Sequence, residues 1–351
     1  MRKPITFTMT NSTELIILGA KDCWNDYIKR FSTLDVYHSK EYTILFSKIQ
    51  DGIPEAAYFE NKDGKVFYPF IKRKIKLNEN FFDIITPYGY GGPVVEGKER
   101  VMEEFYKYFK EYCFTHNIVS ETVTLHPLLS NNDSIKNIMK SDYIRRTIAI
   151  DLSYPMEEIR KKYSSNNRRN IRKALKEGVS VSISNVEADI EKFIELYYET
   201  MDRNHASSFY YFERFYFYQQ MKETPLSKSV LLLAKHQDEV VGGIILLIGK
   251  DFAHYHLGAS KTEYLSLRAN NLLFDAMIEH AKSLGANKLH LGGGYGDDDN
   301  LFRFKSSFTN QEFYEYYLGK HVINKKVYSE LAEMVGVSEQ DNTYFPIYRV
   351  K

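Results

Sequence analysis

The chain has 351 residues, a formal net charge of +1, 43% hydrophobic and 26% charged residues. That length exceeds one ordinary core and suggests two domains, while the balanced charge gives the whole molecule no electrostatic reason to seek nucleic acid. Cys23 and Cys113 lie far apart, so neither a disulfide framework nor a cysteine zinc site is implied, which fits a reducing compartment.

The opening MRKPITFTMT lacks the apolar core of a signal peptide. The longest apolar run, VVGGIILLIG, falls short of the roughly 20 residues that cross a bilayer. The expectation is a cytoplasmic protein with no transmembrane segment, free to associate with the inner membrane surface. KDCWNDYIKRF and SKEYTILFSKI have helical spacing, with Trp24, Tyr27, Ile28 and Phe31 on one side of the first. EAAYFENKDGKVFYPFIKRKI reads as two strands joined at Asn61–Gly64. FFDIITPYGYGGPVV is a strand running into a Tyr- and Gly-rich loop, VMEEFYKYFKEYCFTHN an amphipathic helix, and VSETVTLHP a further strand. No linker composition appears, so the boundary is placed inside compact structure after TIAIDLS, giving domains 1–152 and 153–351.

The second half opens with a basic helical region, MEEIRKKYSSNNRRNIRKALKEG, stopped by Gly178. The strand VSVSIS and two helices follow, then three strands in succession: SVLLLAK, EVVGGIILLIG and FAHYHLGAS. ANNLLFDAMIEHAKSLG is a long helix with Leu272, Leu273, Ala276, Met277 and Leu284 as its apolar stripe; Asn270 can cap it and Gly285 can end it. NKLHLG is the next strand. The order is that of an α+β fold with a mixed sheet, not a dinucleotide-binding βαβ series.

Several segments carry candidate chemistry. GGGYGDDDN lacks the G-K-[ST] ending of a P-loop and the alternating acids of an EF-hand, so a metal is not expected; Gly292–Gly294 let the chain leave the sheet. Lys305 sits among Phe302, Phe304 and Phe308. Its ammonium either lies partly desolvated, where it stabilises developing negative charge strongly, or snorkels outward. Residues 160–176 hold eight basic side chains and no acid; Arg168 and Arg172 share a helix face suited to phosphate, and a merely solvated basic face is the alternative. His254, His256 and His290 fall on neighbouring strands without an acidic or thiol partner at ligand spacing, so packing outweighs zinc. No G-x-S-x-G elbow appears.

At this point HYHLGAS, ANNLLFDAMIEHAKSLGANKLHLGGG and LFRFKSSF resemble the C-terminal half of the FemABX-type transferases, a branch of the GNAT acyltransferase superfamily. RRNIRKALKEGVSV resembles that family's entry into its second domain. VYHSKEYTILF, VFYPFIKRK and ITPYGYGGPVV resemble its first domain. The resemblance covers most of the chain and keeps the motif order. It implies two tandem GNAT-like domains and transfer of an aminoacyl or acyl group to an amine, with a peptidoglycan precursor as acceptor and aminoacyl-tRNA as donor in well-studied members. It places Phe304 and Lys305 at the transfer site, and Tyr88, Tyr90, Gly92 and Pro93 on the acceptor side, with Glu96 as the nearest acid after the Gly-Pro. Arg168, Arg172 and Arg203 would hold anionic parts of a substrate.

The chain also departs from the family pattern. KTEYLSLRANN lacks the glycine-rich turn that seats the pyrophosphate of coenzyme A, leaving Arg268, Asn270 and the helix start as anion contacts. No cofactor is then expected beyond the donor substrate. Phe46 stands where the family often has a precursor-holding lysine, with Lys48 two residues on, which weighs against a UDP-linked precursor. An acyl-CoA-dependent N-acyltransferase and a non-catalytic binding protein on the same scaffold remain the alternative readings.

Overall fold

The computed structural model describes residues 5–10, 13–310, 313–337 and 344–350. The chain divides into two compact units, the first made of residues 1–144 with 315–351 and the second of residues 145–314. This division differs from the 1–152 and 153–351 expected above: the last stretch packs with the first unit, and the change of unit falls inside a strand rather than after one.

In the first unit β1 (Ile5–Thr10), β2 (Thr13–Gly19), β3 (Ile53–Asn61) and β4 (Gly64–Lys74) pair antiparallel in succession. Between β2 and β3 lie the short α1 (Asn25–Ile28) and α2 (Lys40–Ile49). β5 (Phe82–Ile85) follows in the sheet and β6 (Val94–Gly97) pairs with β4. The turn between β3 and β4 lies where it was read, with Asn61 opposite Gly64. The Asn61 side chain accepts from the Asp63 and Gly64 amides at 2.8 and 3.0 Å, which is how asparagine closes such turns. α3 (Arg100–Thr115) lays Met102, Phe105, Phe109 and Tyr112 over the sheet. β7 (Ile118–Thr124), parallel to β5, and α4 (Asn132–Ile135) complete the N-terminal part.

In the second unit β8 (Lys140–Asp151), which begins in the first unit, leads into α5 (Met156–Lys161) and α6 (Ser165–Lys176). The basic region is thus two helices: Ser164 has extended ψ and accepts from the Asn167 amide at 3.1 Å, an N-cap that restarts the helix. β9 (Ser180–Ser184), α7 (Glu187–Arg203) and α8 (Arg214–Gln220) follow, then β10 (Lys228–His236), β11 (Glu239–Ile248) and β12 (Phe252–Ser260). α9 (Ala269–Ser283), β13 (Lys288–Gly292) and α10 (Asn300–Ser306) close the unit, whose sheet order is β8-β13-β12-β11-β10-β9. The chain then returns to the first unit through β14 (Phe313–Val322), antiparallel to β7, and α11 (Lys325–Val335).

Two readings of α9 need correction. Leu284 is the C-cap and 43% exposed, while Ile278 and Ala281 are buried. The helix packs against both the sheet and α6, so its buried surface is broader than one stripe. Each of Leu273, Met277 and Ile278, fully removed from water, stabilises the unit by roughly 1.5–3 kcal/mol. Arg268, not Asn270, occupies the N-cap position, at φ +62° and without a side-chain cap; Asn270 lies in the first turn.

Candidate functional site

In the second unit the site forms where two parallel strands part. β12 and β13 pair only over Phe252–His254 and Lys288–His290, although β12 continues to Ser260. Beyond His290 the chain reaches Gly292 at φ +71°, a conformation that suits glycine, and turns out of the sheet. A methyl group at Gly293 would stand 2.8 Å from the Arg146 carbonyl oxygen. The glycine run therefore lets the backbone cross β8 closely.

Each of the three aspartates then has a protein partner that helps to shape the turn. Asp297 accepts from the Arg146 amide at 2.7 Å. Asp298 forms a two-pronged pair with Arg303 at 3.1 and 3.0 Å. Asp299 is the N-cap of α10, accepting from Phe302 and Gly296 amides at 2.8 Å and from that of Tyr295. Burial pushes its carboxyl upward, but those amides outweigh it and hold the group below the usual aspartate range. α10 was not read from the sequence, although Asp299 three residues before Phe302 is the spacing of a helix start.

That helix points Lys305 inward. The residue is 5% exposed, and its Nζ donates to the Gly293 carbonyl at 2.7 Å. The ammonium also stands 5.2 Å from the centre of the Tyr255 ring. Burial lowers its pKa to about 7, assisted by the Arg145 cation and opposed by Asp299. Phe304 is half-buried and meets Phe274 and Phe308 edge-on, fixing the rotation of α10. Of the two sequence readings for Lys305, desolvation holds and snorkelling does not. Arg145 and Tyr255 were missed because they come from distant strands.

The other predicted contacts in this unit do not gather around Lys305. Arg168 donates to the Lys161 and Tyr163 carbonyls at 3.0 and 2.6 Å and so braces the junction between α5 and α6. Arg160 is taken up by Asp275 and Glu279. Arg172, Lys173 and Lys176 are exposed on α6, and Arg268 is exposed before α9. Arg203 ties α7 to the end of β12, donating to the Ser260 carbonyl and the Thr262 hydroxyl at 2.8 Å. His254 and His290 pack edge to face at 5.6 Å, and His256 bonds Tyr216.

The Tyr- and Gly-rich loop of the first unit hangs on a buried network that the sequence did not disclose. His126 Nε2 lies 2.8 Å from Asp35 Oδ2, and both residues are no more than 2% exposed. His126 Nδ1 accepts from the Leu128 and Leu129 amides at 3.2 Å, so its proton resides on Nε2, toward the carboxylate. His38 Nε2 faces the Gly92 carbonyl at 3.2 Å, and burial, then His126, lowers its pKa to about 4. Asn131 holds the Gly91 and Pro93 carbonyls at 2.7 and 3.2 Å. Tyr88 takes a bond from Tyr42 on its carbonyl and stacks on Phe46, while Tyr90 meets Tyr37 and His126 edge-on. Glu96 belongs elsewhere: one oxygen accepts from Ser32 and Thr33, the other pairs with Lys65 at 3.2 Å. Burial alone would raise it, yet those bonds keep it ionised below the usual glutamate range. A carboxylate so engaged is a loop anchor rather than a general base.

Among the described residues no helix is long and apolar enough to cross a membrane. Residues 161–306 match the family described as an acetyltransferase (GNAT) domain. Among solved structures the chain is similar to FemX (TM-score 0.68, 13% identity), covering 87% of this chain and 96% of that one. The C-terminal domain of a putative lysylphosphatidylglycerol synthetase from Agrobacterium fabrum aligns with TM-score 0.55 and 11% identity, over 88% and 93% of the two chains. A tandem GNAT protein from the clavulanic acid biosynthesis pathway aligns at 0.51 and 10%, over 89% and 99%. Such identities speak for the fold. No curated protein matches the sequence.

Proposed function

We propose, for a chain whose residues 161–306 match the acetyltransferase (GNAT) domain family and whose fold is similar to that of FemX, that it transfers an aminoacyl group from an ester donor to an amine. The observation that carries this reading is the buried Lys305 ammonium, held by a neutral backbone carbonyl rather than by a carboxylate. An ammonium has three donors, so two remain for an incoming oxygen. As the amine attacks the acyl carbon, the carbon–nitrogen bond forms and the carbonyl electron pair moves onto oxygen. Lys305 stabilises that oxyanion, a contribution of roughly 3–4 kcal/mol for a well-placed donor. Collapse breaks the ester carbon–oxygen bond, and the departing alkoxide takes the proton of the amine through water. Direct transfer is the simpler course, since the unit that carries Lys305 contains no cysteine: Cys23 and Cys113 both belong to the first unit.

The stretch before α9 favours an ester over coenzyme A. It contains no glycine and forms a 3-10 helix over Thr262–Leu267 that ends in the left-handed Arg268, a poor seat for pyrophosphate. Aminoacyl-tRNA supplies such an ester, places the reaction in the cytoplasm, and would meet the exposed Arg172, Lys173 and Lys176. A peptidoglycan precursor at the inner membrane surface is the proposed acceptor class. The family description itself favours a second reading, an acyl-CoA donor.

The test is to incubate the protein with acceptor amines and either charged tRNA or acyl thioesters, following the amines by mass spectrometry. Modification from charged tRNA, lost in Lys305→Met, is expected. Modification from thioesters alone transfers the assignment to the second reading. Turnover with neither donor, beside tight binding of a precursor, marks a binding protein.

A further inference from the structure

The glycine loop is grasped by two cations, not one. Lys305 Nζ donates to the Gly293 carbonyl at 2.7 Å, and Arg145 Nη1 donates to the next carbonyl, that of Gly294, at 2.5 Å. The contact extends along the arginine stem: a Cβ on Gly293 would stand 3.0 Å from Arg145 Cδ. A side chain there would crowd the arginine stem, which would have to give way. Arg145 is half-buried on β8 and Lys305 buried on α10, so water screens their mutual repulsion poorly.

We propose that Arg145 is a positioning residue for Lys305: through the Gly293–Gly294 peptides it fixes where the lysine amine sits, and its charge is a second influence, beside burial, on the proton that amine carries. The inference deepens the transfer reading above, since it concerns the same amine. Among the described residues three groups face Lys305. Arg145 on β8 disfavours the ammonium. Asp299 at the start of α10 favours it, with its oxygens engaged by the amides of residues 295, 296 and 302. Tyr255 on β12 offers its ring face and stays neutral, burial raising its pKa to about 12. The neighbouring Arg146 is turned away toward Asp297 and lies between Phe302 and Phe313.

An oxyanion stabiliser works only while it carries its proton, so the pH range open to Lys305 depends on how tightly its amine holds that proton. A second cation fixed on the next carbonyl helps to set that range without a movable part. It also gives glycine at 293 a chemical reason beyond chain geometry.

The experiment is a proton titration of the donor-free protein. Lysine is labelled at Cε with carbon-13, and the signal of Lys305 is assigned by its loss in Lys305→Met. Wild type is expected to titrate near neutrality, Arg145→Lys close to it, and Arg145→Gln about one pH unit higher. A wild-type midpoint near that of an ordinary lysine overturns the proposal without any variant. So does a folded Arg145→Gln with an unmoved midpoint, or an Arg145→Lys that moves as far as Arg145→Gln. Because no donor is present, the titration can succeed while every transfer assay fails, and the reverse, so the two readings fail separately. Where transfer is observed, Arg145→Gln carries the alkaline fall of the pH–rate profile upward by the same interval, while a merely structural role would lower the rate at every pH alike.

Discussion

The two units bury charge in opposite ways. In the first, the Asp35 carboxylate meets His126, His126 meets two amides, and His38 meets the Gly92 carbonyl. The network is neutral apart from one carboxylate that is itself hydrogen-bonded, and its product is a loop held in one shape. In the second unit a cation is buried against a carbonyl with another cation beside it. A buried charge set against a hydrogen-bonded imidazole positions its surroundings, and one held only by a carbonyl is reactive. The first arrangement is costly to break and the second costly to keep.

That contrast is broken most directly at Lys305. Lys305→Met should reduce turnover about a hundred- to a thousandfold while leaving the melting temperature unchanged or higher, since a buried cation is replaced by an apolar chain of similar length. A variant that loses stability and activity together would place the lysine with the structural group. Asp35→Ala should do the opposite, lowering the unfolding free energy by about 2–3 kcal/mol as His126 loses a charged partner. Chemical denaturation reads this directly. A change under about 0.5 kcal/mol would mean that the loop does not depend on the pair.

Acid sharpens the comparison. His38 and His256 have pKa values lowered to about 4 and about 3 by burial, so the unfolded chain binds protons there first. Stability should therefore fall as pH drops from about 6.5 toward 4, by at most about 1.4 kcal/mol per pH unit and histidine. Lys305 adds a separate slope, with stability rising from pH 7 toward 10.5 as the unfolded lysine sheds its proton. Melting curves across pH in wild type and Lys305→Met separate the two. The smallest effect belongs to the surface: Arg172→Ala should change stability by less than about 0.5 kcal/mol. A salt-dependent loss of donor binding in that variant would tie α6 to a polyanionic donor.

Much of the second unit is legible in sequence because its signals are local. The run of three strands, the helix of residues 269–283 and the strand 288–292 each announce themselves by period. Lys305 stood out by its phenylalanine neighbours. Arg145 could not, because it lies 160 positions away by number and is brought back only by the pairing of β8 with β13. Asp35, His38 and His126 were invisible for the same reason: each is an ordinary polar residue until folding sets one against another. The first helix failed differently. KDCWNDYIKRF keeps only Asn25–Ile28 helical, yet Trp24 and Ile28 are buried as the pattern requires. Burial was read correctly there and backbone form was not. Arg168 and Arg203 show that a basic side chain can be consumed by carbonyls, which no spacing rule reveals.

The return of residues 315–351 to the first unit has a consequence for biosynthesis. Val119 on β7 receives the Ile323 and Asn324 amides, and Ser120 bonds the Tyr348 hydroxyl at 2.6 Å. A ribosome therefore delivers the whole of the second unit before the strand that completes the first. The earlier part of the chain must wait, unfinished, while the later part closes. Stalled or C-terminally clipped chains should accordingly expose the older unit to proteases and spare the younger one.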